Sequence, residues 1–164
     1  MKSVVIAAAI ATALFSRSAH AHGSQARAPD SSAHAQAGAE SQATAQAGGS
    51  VLAEASRWIG SGNMTGMAGP WCADAVSFWL RRSGHRPLAN RLVASALAYG
   101  PRLPGPKVGA LAVIRTWRGW AGHVGLVEGV EPDGSIRLIS GNWGHRVAQS
   151  IVARNAVMAF VEVP

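Results

Sequence analysis

Near residue 100 the apolar residues of this chain change their spacing, and no other feature limits its fold as strongly. Upstream the spacing is helical. VLAEASRWIG (51–60) carries Val51, Leu52, Ala55 and Ile59 before Gly60, which predicts a short helix. From Cys72 the positions Val76, Phe78, Trp79 and Leu80 make a helical face, with Arg81-Arg82 in the last turn and Gly84 as the stop. Leu88 to Ala98 reads as a further helix, ended by Gly100-Pro101. Downstream the segments VGALAVIR (108–115), HVGLVEGV (123–130), SIRLISGN (135–142), VAQSIVA (147–153) and VMAFVEV (157–163) are short and rich in β-branched residues. Turn signals such as Glu131-Pro132-Asp133-Gly134 separate them. Helices first and antiparallel strands after define an α+β fold, with N-terminal helices on a five- or six-stranded sheet.

Only part of the 164 residues enters that fold. Residues 1–21 have the form of a secretory signal peptide: Lys2, the apolar run VVIAAAIATALF, and an Ala19-His20-Ala21 cleavage site. The run is too short to span a membrane, and no other stretch is long and apolar enough. Residues 22–50 are Ala, Gln, Ser, Gly and His without an apolar period, so they read as a disordered, low-complexity linker. Residues 51–164 then form one domain, which contains all six tryptophans. The mature chain is expected in the periplasm or outside the cell, as a monomer. The domain's twelve Lys/Arg against six Asp/Glu are scattered and suit an anionic partner. Nucleic acid, a membrane surface or a bacterial cell wall would each answer to that charge, and export to the envelope argues against nucleic acid.

Cys72 is the only cysteine and so has no internal disulfide partner. Placed after the Gly69-Pro70-Trp71 turn, in the first turn of a helix, its sulfur lies near unpaired N–H groups and the positive end of the helix dipole, which favour thiolate. A buried cysteine acting as a small apolar residue is the plain alternative. A nucleophile needs a base and the base an orienter. Of the six histidines, His123 opens a strand after a glycine-rich turn, whereas His145 sits in a hairpin turn and His85 follows Gly84. Antiparallel pairing through the 132–134 turn returns Asn142 to the neighbourhood of His123. Glu128 competes as orienter but alternates to the opposite face. Asp74 is a first-turn partner of the dipole. No zinc spacing, phosphate loop or serine elbow is present, so neither metal nor cofactor is expected.

PWCADAVSFWL, GALAVI, GHVGLVEGV and GSIRLISGNWGHRV, in this order, resemble the CHAP-like, NlpC-related branch of the papain-fold cysteine peptidases, in particular small exported bacterial proteins with a Pro-Trp-Cys motif. The likeness runs from about Trp58 to Val163. It implies a papain-like fold and hydrolysis of peptidoglycan, either within the stem peptide or at the glycan–peptide junction. It implies Cys72 as nucleophile, His123 as base and Asn142 as orienter. The Cys72 N–H and a loop side chain, Asn63 or Thr65, would serve as oxyanion donors. Ser140 stands where many relatives carry a glutamate. Trp71, Trp120 and Trp143, with Trp117, are candidates to line a groove; core packing is the alternative, expected at least for Trp79. A catalytically inactive module that binds wall glycan or peptide is the rival reading, and a toxin acting on a competitor's wall would share the chemistry.

Overall fold

The computed structural model describes residues 31–116, 119 and 121–164. Two α-helices, α1 (Ser31–Ser56) and α2 (Cys72–Arg82), precede the strands β1 (Arg102–Leu103), β2 (Leu111–Arg115), β3 (Ala121–Val130), β4 (Ile136–Trp143), β5 (Arg146–Val152) and β6 (Val157–Val161). Short 3-10 turns cover Val93–Ala98 and Arg154–Ala156. The strands form one antiparallel sheet in the order β1-β6-β2-β3-β4-β5. The helices-then-sheet arrangement expected from the change of period is present, with six strands.

Three segments differ from expectation. α1 begins at Ser31 rather than Val51, so residues 31–50 are helical where the composition suggests a disordered linker. Alanine favours helix through propensity alone, and this needs no apolar stripe. Segment 88–98 is a helix only from Val93, as a 3-10 turn. Its local bonds explain this: Asn90 Oδ1 accepts from the Leu92 N–H, and Ser95 Oγ donates to Asn90 and Leu92 carbonyls. These compete with an α-helical ladder. The first long strand starts at Leu111 rather than 108, and the two-residue β1 was not expected from the sequence.

The helices lie on one face of the sheet. Val51 and Ala55 of α1, Val76, Trp79 and Leu80 of α2, and Val113, Val124, Leu126 and Ile139 of the sheet share one core. Trp79 and Leu80 are fully buried, and burying each contributes about 1.5–3 kcal/mol. Glu54 joins the two helices: it accepts from Trp58 Nε1 at 3.0 Å and pairs with Arg57 and Arg82. The Trp58 bond, aided by the two arginines and opposed by burial, holds its carboxyl below the ordinary range. A smaller core on the opposite face contains Ala112, Ile114, Val127, Ile136, Leu138 and Phe160.

Candidate active site

Cys72 is the first residue of α2 and is 4 % exposed. The loop before it is fastened from outside. Arg91 binds Asp74 with Nε and Nη2, at 2.8–3.0 Å, and donates from Nη2 to the Ala68 carbonyl at 3.0 Å. Asp74 therefore has a partner beyond the helix dipole, and Arg91 is a site-building residue that sequence reasoning missed. Sequence gives no signal for a clamp between residues seventeen apart that meet only through the fold.

The sheet opens where Cys72 meets it. Val127 N–H bonds to β2's preceding residue Ala110 at 2.8 Å, so by alternation Val124 N–H points the other way, toward β4. The pairing of β3 with β4 ends at Leu126↔Ile139. Beyond that pair the Val124 N–H finds the Cys72 sulfur, which also receives the N–H groups of Ala73 and of Cys72 itself. Cys72 thus occupies a position next to the residue that follows His123. These donors favour thiolate, as expected for a helix N-terminus, but burial outweighs them and pushes the thiol pKa up. The balance runs opposite to the expected shift toward thiolate.

His123 lies near the start of β3, its ring edge-on to Trp143 with centroids 5.2 Å apart. Its Nε2 is enclosed and has no hydrogen-bond partner among the described residues. Burial pushes its pKa down to about 4, so the imidazole is neutral at pH 7. A Cβ built on Gly125 would lie 2.9 Å from Ser140 Cβ, which sets 125 beside 140. Two residues further along each strand, the same register brings Asn142 toward His123. Glu128 is committed elsewhere, accepting from Gln149 at 2.6 Å and pairing with Arg137.

Asn142 has φ 60°, a left-handed conformation that asparagine tolerates better than most residues. It lines a cleft of about 480 Å³ with Asn63, Pro70, Trp71 and His145. Three expected site residues, Asn63, Trp71 and Asn142, therefore meet in one place. A second cleft, of about 520 Å³, lies on the other flank of Pro70 and is lined by Leu92, Val93, Ala94 and Ala121. The Asn63 amide is used within its own loop: Nδ2 donates to the Met67 carbonyl at 2.8 Å, and Oδ1 accepts from Thr65. Trp71 is 3 % exposed, so its ring packs in the core while the residue also lines the cleft. It fits there because a Cβ on Gly141 would lie 2.7 Å from the Trp71 ring and 2.4 Å from Ala75 Cβ. Trp143 is 39 % exposed. Trp117 and Trp120 lie outside the described residues. Among the described residues no three His, Cys, Asp or Glu side chains group as metal ligands, and no helix is long and apolar enough to cross a membrane.

A cysteine opening a helix that lies across an antiparallel sheet, with a histidine near the start of a central strand, defines a papain-like α+β fold of the CHAP type. Residues 64–142 match the model of the CHAP domain. In Staphylococcus aureus, the secretory antigen SsaA of strain NCTC 8325 / PS 47 is 50 % identical over 40 residues, 24 % of this chain and 15 % of the antigen. The secretory antigen ssaA1 of strain MW2 matches to the same extent. The chain thus aligns with about 15 % of the length of these curated relatives. A solved structure, "The crystal structure of Ly7917 with the hydrolyzing product of MDP", superposes with a TM-score of 0.51 at 20 % identity, over 71 % of this chain and 63 % of that one.

Proposed function

We propose that residues 51–164 form a cysteine hydrolase that cleaves peptide or amide bonds of peptidoglycan through Cys72, His123 and Asn142. Residues 1–21 act as its export signal and 22–50 as a spacer, helical from Ser31, so the enzyme works in the periplasm or outside the cell. The observation that carries this reading is the contact of the Cys72 sulfur with the Val124 N–H, the residue beside His123. The CHAP match supports the cell wall as target, as do the secretory antigens and the hydrolysis product of MDP in the neighbouring structure. The domain's twelve Lys/Arg against six Asp/Glu favour an anionic wall.

In the proposed reaction the resting pair is thiol and neutral imidazole. As sulfur attacks the carbonyl carbon, the thiol proton passes to His123 and the carbonyl electron pair moves onto oxygen. The Cys72 N–H and Asn63 Nδ2 receive that oxyanion. Collapse expels the amine, which takes the proton from His123, and leaves a thioester on Cys72. Water, deprotonated by His123, attacks the thioester and restores the thiol. Asn142 orients the imidazole.

Two observations favour the rival reading, a module that binds wall glycan or peptide without cleaving it: burial disfavours the thiolate, and His123 Nε2 has no protein partner among the described residues. Isolated peptidoglycan incubated with the protein and with Cys72→Ala separates the two. Fragments with new termini, seen by mass spectrometry for the parent only, establish the hydrolase and identify the bond. No release by either protein on several wall types, with the spacer removed, leaves the binding module.

A further inference from the structure

Two clefts meet at the loop before Cys72, and they differ in chemistry. Both are lined by Ala68 and Pro70. The cleft of about 480 Å³ presents side-chain amides and an imidazole from Asn63, Asn142 and His145. The cleft of about 520 Å³ is walled by Pro70, Leu92, Val93, Ala94 and Ala121, none of which has a polar side-chain atom. Arg91 also lines it, but its charge is paired with Asp74 and its Nη2 ties down the Ala68 carbonyl. Among the described residues, this second cleft therefore offers a ligand no unpaired charge. It also spans both elements of the proposed site, since Pro70 lies two residues before Cys72 and Ala121 two residues before His123.

The mouth of the apolar cleft is held in place. Leu92 is 68 % exposed, yet its N–H donates to Asn90 Oδ1, and its carbonyl accepts from the Ser95 N–H at 2.9 Å and Ser95 Oγ at 2.7 Å. The bonds that displace an α-helix at 88–98 thus present an apolar side chain to solvent. Val93 and Ala121 pack against the main core, which fixes the wall behind it. An exposed leucine alone needs no explanation, but one that continues an apolar wall beside a nucleophile suits a ligand. We propose that this cleft is a specificity subsite for an uncharged aliphatic residue next to the scissile bond, and that the residue across that bond, bearing an amide or carboxylate, enters the cleft of Asn63, Asn142 and His145. An extended chain advances about 3.3–3.6 Å per residue, so a peptide crossing the Ala68–Pro70 ridge reaches into both clefts. In the apolar cleft an aliphatic side chain gains by leaving water, whereas a carboxylate loses its hydration and finds no partner. The place of the scissile bond rests on the proposed hydrolase reading; the chemistry of the cleft does not.

The test is methyl NMR of the Cys72→Ala protein labelled with ¹³C at alanine and leucine methyl groups. It is titrated with a synthetic stem peptide, then with peptides in which each alanine in turn is replaced by glutamate. The stem peptide should shift the Leu92 and Ala94 methyl signals, and one of the replacements should abolish those shifts and weaken binding at least about tenfold. Leu92→Asp should weaken binding of the unreplaced peptide by a similar factor with thermal unfolding unchanged, because the side chain is exposed. Leu92→Lys should reverse the preference and favour the glutamate peptide that the parent rejects. In hydrolysis, Leu92→Asp should raise KM more than it lowers kcat. No shift at Leu92 and Ala94, or equal shifts with every replacement, overturns the proposal, as does hydrolysis by L92D at the parent KM. The expected methyl shifts without cleavage by the parent would overturn the hydrolase reading alone, because the cleft is read without turnover.

Discussion

Cys72 and His123 are held by different means. Around Cys72 the sulfur receives three backbone N–H groups, Asp74 and Arg91 are paired, and Arg91 ties down the Ala68 carbonyl. The thiol lies in the large core between helices and sheet. Around His123, Nε2 and Ser140 Oγ are enclosed without protein partners among the described residues, and ring contact with Trp143 replaces hydrogen bonding. The nucleophile is fixed by close packing and ion pairing. The base is fixed by its strand and by ring contact with Trp143, while its Nε2 has no protein partner among the described residues. Burial acts on both in the same direction, toward the uncharged form.

The comparison breaks most severely at Gly141, where β4 lets α2 approach. Gly141→Val places carbon inside the Trp71 ring and Ala75 contacts, so the helix carrying Cys72 must shift. The expected cost is about 3 kcal/mol or more in urea unfolding, with hydrolysis lost together with stability. A cost under about 1 kcal/mol would mean that the helix yields easily and that the nucleophile side is not rigid.

The base side breaks with acid. His123 has its pKa pushed from 6.5 to about 4, so between these values the unfolded chain binds more protons than the folded one. Stability should therefore fall as pH drops from about 6.5 to about 4, by up to about 3 kcal/mol, and the loss from this residue should level off below that. His123→Gln should flatten this interval of the curve when unfolding is followed at pH 7, 5.5 and 4. An unchanged slope in H123Q would assign the acid sensitivity to other groups.

The larger elements were legible before the structure. The β-branched runs predicted five strands, and the change of period predicted helices against a sheet. What sequence concealed depends on contacts between distant residues or on the absence of a pattern. Residues 31–50 have no apolar stripe, so their helical propensity left no periodic signal. The Leu88 helix was displaced by Asn90 and Ser95 bonds that only the folded turn shows. The position of Cys72 at a helix start was legible, but the outcome for its proton was not. That depends on how deeply the fold buries it, and burial outweighed the N–H donors. Likewise, sequence did not show that the Trp71 ring fills the gap left at Gly141.

Smaller effects sharpen the contrast. Arg91→Ala removes a clamp whose arginine is half exposed, so stability should change by less than about 1 kcal/mol. Hydrolysis should fall by more than stability does, because the Ala68–Trp71 loop loses its tether. A proportionate change in both would make the clamp merely structural. Smaller still is the effect of starting the chain at Ala47. Gln42, Ala43 and Gln46 are exposed, whereas Gly48, Val51 and Ala55 are buried. Thermal unfolding should move by the equivalent of no more than about 0.5 kcal/mol, and a large loss would make the first half of α1 part of the domain.

The central claim, that Cys72 is the nucleophile and His123 moves its proton, is tested most directly by rapid-quench intact-mass spectrometry of the protein mixed with a stem-peptide substrate. The account predicts a transient acyl adduct mapping to the Cys72 peptide, none in Cys72→Ala, and greatly slowed formation in His123→Gln. Substrate cleavage with no adduct at Cys72, or by Cys72→Ala at the parent rate, would contradict it.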